Sequence, residues 1–360
     1  MKLFAPSYYN SFRCIGKECT KNCCIGWEID VDDDTLNKYR ELGGELGERI
    51  RQSIYKDGGG AHLKLCNGER CAHLRADNLC SLIIELGEEM IPEICREHPR
   101  FYNVYDGVCE VGVGLACPTA AKLITSANDY RPYEIGKIDI REAEEIGAEL
   151  NACRAYFGAV CDFGKKASLF DTVVFADYHA RVTLSDLLFD CLTRPDADEK
   201  ITADAFSPCA ADSTEYAYEN GEARSAAALF SELEMLDSGY GEALCEAIEY
   251  GEREGEKARE FFAEFKGEFS ALFHYFIYRH LLNGALDGGA HAVIKFAAIS
   301  AYSILSLAQK SGKGIADEAT DFSRNVEYSD TNVSSILEKA VAEEVGIGFI
   351  LRILKPSDNC

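Results

Sequence analysis

The 360 residues carry a net charge of −24 with 47% hydrophobic content, which is ordinary for a globular chain and enough for a sizeable core. The charge is uneven, with 14 Lys+Arg against 19 Asp+Glu in residues 1–117 and 23 against 42 in the remaining 243. A field of that sign repels phosphate backbones and anionic lipid, so no nucleic acid and no membrane is expected as partner, and a basic or lysine-bearing protein segment remains.

The length exceeds one typical domain. After Met1 and Lys2 the start FAPSYYNSF lacks an apolar run and a small-residue cleavage site, which predicts a cytoplasmic, reducing compartment. The longest apolar stretch, Ala292 to Ala308, is too short to span a membrane and contains Lys295, Ser300 and Ser303, so it reads as a buried helix. Sixteen cysteines in a reducing compartment point to metal rather than disulfides.

In chain order, Cys14, Cys19, Cys23 and Cys24 crowd into CIGKECTKNCC. Trp27 to Val31 alternates apolar and acidic residues and predicts a brief strand or an extended lead-in. Asp32 to Asp34 precede Leu36, Tyr39 and Leu42, which predicts a helix start capped by carboxylates. Gly43, Gly44 and Gly47 weaken its middle, and Gly58 to Gly60 predict a loop. Asn67-Gly68 and Asp77-Asn78 are turn pairs. A helix is predicted from Ser81 to Met90, closed by Pro92, and a strand from Val108 to Leu115. Beyond about residue 120 helical periodicity takes over, at Glu142 to Phe157, Leu184 to Leu192, Ala226 to Leu236, Glu254 to Leu282, Ala290 to Gln309 and Thr331 to Glu344. Residues 193–222 lack a period and predict a loop. The expected architecture is mainly α: a cysteine-rich metal-binding region with short strands and turns over residues 1–122, packed on a helical region over 123–360.

Thiolate sulfur favours zinc, copper(I) and iron–sulfur clusters. Ten cysteines lie at or before Cys117, spaced x4, x3, zero, x41, x4, x8, x14, x13 and x7, which fits no common zinc ribbon. Adjacent Cys23 and Cys24 diverge around one tetrahedral ion, so either one is spare or the two face different parts of a larger site. A cluster or two metal centres suits that arrangement better than a single zinc, and zinc stays the alternative. Later cysteines (Cys153, Cys161, Cys191, Cys209, Cys245, Cys360) stand singly and read as small apolar fillers.

Three blocks in order, PSYYNSFRCIGKECTKNCCIGWEIDVD, RCAHLRADNLCSLIIELGEEMIPEICREHPR and LACP, resemble the flagellin lysine-N-methylase family. That family is related to a broader group of cysteine-rich zinc- or iron-chelating domains. The resemblance spans residues 1 to about 122 and continues weakly through HYFIYRHLL and near Val326 to Asn332. It implies metal ligands at Cys14, Cys19, Cys23, Cys24, Cys71, Cys80, Cys95 and Cys117, with Cys66 and Cys109 as fillers. It further implies methylation of flagellin lysines with S-adenosylmethionine as donor. The implied metal is iron in an iron–sulfur cluster, as [4Fe–4S], for which four thiolates suffice; eight could hold two centres or leave several around a single one without touching metal.

Neither common donor-binding signature is present. Val111-Gly112-Val113-Gly114 runs straight into Cys117-Pro118 and reads as packing. Cys19-x3-Cys23 would need a cysteine at position 26, which is Gly26. Tyr8, Tyr9, Tyr275, Tyr278 and Glu88 are residue types able to align a lysine amine, and each is as well explained by core or surface packing. His98 is a possible further ligand, or a ring bonded to backbone; Arg96 and Arg100 flank it as charges for an anionic cluster or as surface ion pairs. The competing functions are a non-catalytic zinc- or iron-binding structural module and an iron–sulfur electron carrier.

Overall fold

The computed structural model describes residues 1–66, 69–105, 108–129, 132–138, 221–287, 289–342, 345 and 348–354. The helices expected at Glu142 to Phe157 and Leu184 to Leu192, the turn at Asn67-Gly68 and residues 193–220 of the expected loop lie outside them.

The chain opens with β1 (Lys2–Pro6), then a loop carrying the first cysteines, and reaches α1 (Asp33–Glu41) and α2 (Gly44–Gln52). Asp32 caps α1, its Oδ1 accepting from the Thr35 amide at 2.8 Å, as the aspartate run predicts. The glycines after Leu42 do not weaken one helix; they separate two. Gly44 has φ +68, and a side chain at Gly47 would overlap the Leu42 carbonyl, so the second helix starts close against the end of the first. The hairpin of β2 (Ile54–Asp57) and β3 (Gly60–Leu63) turns at the predicted glycines. Trp27 to Val31 lies along that hairpin, paired at an Asp30–His62 bridge and with Glu28 accepting from Tyr55 Oη, as an extended lead-in rather than a strand of the sheet.

The short pair β4 (Leu65–Cys66) and β5 (Arg70–Cys71) leads to α3 (Ser81–Leu86) and α4 (Glu93–Glu97). The helix expected to reach Met90 stops at Leu86 because Gly87 has φ +88; Glu88–Met90 is a 3-10 turn. Next come β6 (Arg100–Tyr105), β7 (Val108–Val113), α5 (Pro118–Thr125) and β8 (Pro132–Lys137). One sheet takes the order β6-β7-β1-β8, with β1 parallel to β7 and antiparallel to β8, so the N-terminus is stitched beside the strand expected at Val108.

The rest is helical: α6 (Glu222–Ala228), α7 (Tyr240–Glu254), α8 (Glu256–Glu264), α9 (Lys266–Asp287), α10 (Gly289–Ser311), α11 (Ile315–Phe322), a π-helical turn over Ser323–Glu327, α12 (Asp330–Ala342) and α13 (Gly348–Leu354). The single helix expected from Glu254 is broken twice. Gly255 takes φ +50 at the end of α7, and Phe265 leaves helical geometry between α8 and α9. The helix expected from Ala226 begins earlier and ends at Ala228, with a turn-rich stretch leading to α7.

Two cores result. The larger is built from Phe12, Val113, Leu115, α5 and the C-terminal helices, with Phe262, Phe269, Phe273, Phe276, Phe296 and Phe322 buried in it. The smaller holds Ile29, Val31, Leu36, Tyr39, Ile50, Leu63, Leu82 and Ile91 around buried Cys71. The architecture is mainly α, with small sheets in the N-terminal region, as composition and periodicity predict. Among the described residues no helix is long and apolar enough to cross a membrane.

Candidate metal centre

Backbone pairing explains why distant cysteines meet. The Cys71 amide donates to the Cys24 carbonyl at 2.8 Å, and Ile25 bridges Arg70, so the end of the opening stretch lies against β5. The x8 interval to Cys80 is a closed loop: Leu74 bridges Cys80, and Asn78 takes φ +60 at the predicted Asp77-Asn78 turn. Cys95 arrives on α4, whose Glu93 amide donates to Asp32 Oδ2 at 2.8 Å; one aspartate therefore caps α1 and fastens α4. Cys24, Cys80 and Cys95 all pack on the small core beside Cys71. These four form a first group.

Cys14, Cys19, Cys23 and Cys117 form a second group at the junction with the helical part. Cys14 and Cys19 flank the 3-10 turn Gly16–Glu18, where Gly16 takes φ +55 and its amide approaches Cys14 Sγ at 3.4 Å. Cys117 is the N-terminal cap of α5, with Pro118 as first helical residue, and packs on the large core. Cys14 is exposed, Cys19 and Cys23 are half-buried, and all the described cysteines are free thiols. Adjacent Cys23 and Cys24 join the two groups, since their thiols are hydrogen-bonded to each other and the Cys23 charge also acts on Cys95. Of the two fillers, Cys109 is buried in β7 beside Glu110, and Cys66 is exposed near Cys71. Cys245 is also apart, its thiol directed at the Ala227 carbonyl.

The electrostatics link the two groups through Cys23 and Cys24. Burial pushes the Cys71 thiol up to about 11, and the Cys80 and Cys66 charges add to it. Burial, then the charges of Cys71, Cys23 and Cys80, raises Cys95. Burial raises Cys19 and Cys117, whose thiolates oppose each other. In the adjacent pair a hydrogen bond between the thiols favours the thiolate of Cys23 and disfavours that of Cys24. Buried thiols such as Cys71 and Cys95, raised first by desolvation and then by neighbouring thiolates, are donors that a bound cation would help to ionise, so the residues fit a thiolate-ligated metal. Among the described residues, the one trio of His, Cys, Asp or Glu side chains with ligand atoms within 4.8 Å of one another is Glu28, Asp30 and His62.

Residues that the sequence did not single out wall the second group. Arg324, in the π turn, donates to the Ile25 carbonyl at 3.1 Å and stacks over Trp27 at 4.9 Å. Trp27 meets the Tyr328 ring edge-on at 4.7 Å, and Tyr328 contacts His98 through a 3.1 Å hydrogen bond to Nδ1. The His98 ring is thus held by a side chain rather than backbone. Burial, with the Arg324 and Arg279 charges, lowers it to about 4 and keeps it neutral. Arg279 lies over both Phe101 and Tyr328, each at 5.1 Å, and pairs with buried Glu327. Arg100 instead stacks on Phe12, and Arg96 pairs with Glu97. A π-helical turn is a useful clue to such a wall, but it has no sequence pattern to announce it.

The candidate lysine-aligning tyrosines divide. Tyr275 and Tyr278 are core residues: Tyr275 Oη accepts from the Leu115 amide and from Arg279, and Tyr278 Oη donates to the Val111 carbonyl. Tyr8 and Tyr9 are half-buried against the large core, and Glu88 is exposed. Gly112 and Gly114 are packing glycines, since a side chain there would overlap the Phe101 ring or the Arg279 guanidinium.

Comparison with known proteins adds a relationship. The chain is 28% identical over 130 residues to a flagellar biosynthetic protein FliU of Salmonella muenchen, covering 34% of this chain and 77% of that protein. The same identity and length relate it to the lysine-N-methylases of Salmonella typhimurium and Salmonella choleraesuis. There the match spans about a third of the curated relatives' length, 32% of each, and 34% of this chain. No protein-family model and no solved structure matches. The similarity in sequence to lysine-N-methylases is thus established for about a third of the chain.

Proposed function

We propose that this chain is a protein lysine N-methyltransferase that acts on flagellin, takes its methyl group from S-adenosylmethionine and holds iron–sulfur on its N-terminal cysteines. The observation that carries the reading is the gathering of Cys24, Cys71, Cys80 and Cys95 in one group and Cys14, Cys19, Cys23 and Cys117 in another. Each is a four-thiol set, and four thiolates ligate one cluster. When bound, such a cluster would supply one-electron transfer.

The chain's own residues supply the surroundings. Trp27 and Tyr328 offer aromatic faces beside the second group, between the guanidinium groups of Arg279 and Arg324. A lysine brought to this wall meets two fixed positive charges, which disfavour its ammonium and favour the neutral amine that accepts a methyl group. Because the relatives are matched over a third of their length, substrate and donor are assigned here by this reading.

The test is anaerobic purification followed by transfer of a labelled methyl group from S-adenosylmethionine to flagellin. The expected result is a coloured protein, bleached by dithionite, that labels flagellin lysines. A colourless protein with stoichiometric zinc would overturn the cluster. A coloured protein without transfer would leave an electron carrier and overturn the methylase.

A further inference from the structure

The π turn brings one arginine to the second cysteine group and leaves part of it unused. Arg324 Nη2 is spent on the Ile25 carbonyl, two residues past Cys23, while Nη1 is buried and has no hydrogen-bond partner among the described residues. A buried guanidinium N–H without an acceptor is a desolvated donor and needs a partner. The charged groups that face Arg324 are Asp237, Asp321, Cys19 and Cys23. Asp237 is exposed and occupied with Asn325, which donates to it at 3.0 Å. Asp321 is taken by Lys21 at 2.6 Å and by Lys313 at 3.5 Å. The thiols remain. In the first group the leading influences on Cys24, Cys71 and Cys95 are burial, hydrogen bonds and other acidic groups.

We propose that Arg324 is the positioned positive charge of the metal centre at Cys14, Cys19, Cys23 and Cys117, and that it raises the reduction potential of that centre above that of the other. The inference rests on the iron–sulfur reading above. A thiolate-ligated cluster is anionic and gains one more negative charge on reduction. One electron enters from an external low-potential donor, and no bond is made or broken. A desolvated guanidinium that cannot lose its proton stabilises the reduced form more than the oxidised one. Trp27, stacked on its face, fixes the guanidinium over the Cys23 side of the chain.

The experiment is a redox titration of the full-length protein, reconstituted with iron and sulfide, followed by electron paramagnetic resonance. Wild type is compared with Arg324→Gln, Arg324→Lys and Asp237→Asn. In Arg324→Gln, with iron content unchanged, the reduced-to-oxidised ratio of one centre at a fixed potential is expected to fall about ten-fold, a shift of about 59 mV for one electron. Arg324→Lys is expected to keep most of the wild-type midpoint. Asp237→Asn, which removes an opposing charge at an exposed position, is expected to move the same midpoint the other way. If Arg324→Gln fails to fold, the Asp237→Asn shift decides alone. Unmoved midpoints with iron retained would overturn the inference and leave the cluster standing. A wild-type protein that binds no iron would overturn the cluster reading and the inference with it.

Discussion

Replacing Glu327 by Gln removes one negative charge from the interior and should cost more than any surface ion pair. Glu327 is fully buried in the π turn; Oε1 accepts from His280 Nε2 at 2.9 Å and lies 3.5 Å from Arg279 Nε, and Oε2 accepts from Ser323 at 2.5 Å. Burial alone would raise its pKa, but the Arg279 charge and the His280 hydrogen bond outweigh it and hold the carboxyl at about 2. Burial outweighs Glu327 at His280 and lowers that ring, so the formal partner of the carboxylate is Arg279. The variant strands a buried guanidinium, for which about 3–5 kcal/mol is the usual loss. Equilibrium urea unfolding at pH 7, followed by far-UV circular dichroism, reads it as a lower midpoint. The pH dependence carries a second check. A depressed carboxyl contributes stability above its unfolded value near 4.5 and loses it as pH falls through about 2, so the gap between wild type and variant should close from pH 5 downwards. A loss under about 1 kcal/mol at pH 7, or a gap that persists in acid, would refute this account of the turn.

Other perturbations test the frame and the fastening of the cysteines. Gly251→Ala places a methyl group against the Tyr302 hydroxyl between α7 and α10 and should cost about 1–3 kcal/mol in the same assay; a neutral result would show that Tyr302 moves freely. Asp32→Ala removes the acceptor of both the Thr35 and Glu93 amides; it should cost about 1–2 kcal/mol and lower iron content by loosening α4 and Cys95, whereas Asp34→Ala should do neither. Cys245→Ala should leave iron and colour unchanged, as expected of a thiol that packs by the Ala227 carbonyl, and loss of metal there would undo the separation of ligands from fillers.

Much of this was legible in the residues. Asp32 as cap, the Asp77-Asn78 turn and the helices near Ala290 and Thr331 rest on short-range preferences, and they appear within a few residues of the expected positions. What remained hidden depends on contacts far apart in sequence. The edge pairing of Ile25 with Arg70 sets which cysteines meet, and nothing local to either segment announces it. β1 lies between β7 and β8, so the mixed sheet forms only when strands far apart in the chain meet. Gly255 and Phe265 break a pattern whose apolar stripe reads as continuous. Arg324 is one arginine among many until the π turn brings it over Trp27.

The central claim is that eight N-terminal cysteines hold two metal centres rather than one. Iron and acid-labile sulfide should therefore be measured on anaerobically prepared wild type, Cys71→Ala, Cys117→Ala and the double variant. Each single variant should lose about half of the iron, with distinct paramagnetic signals lost from the two, and the double variant should lose nearly all. Complete loss in either single variant would indicate one shared centre, and unchanged iron in both would contradict the assignment of these cysteines as ligands.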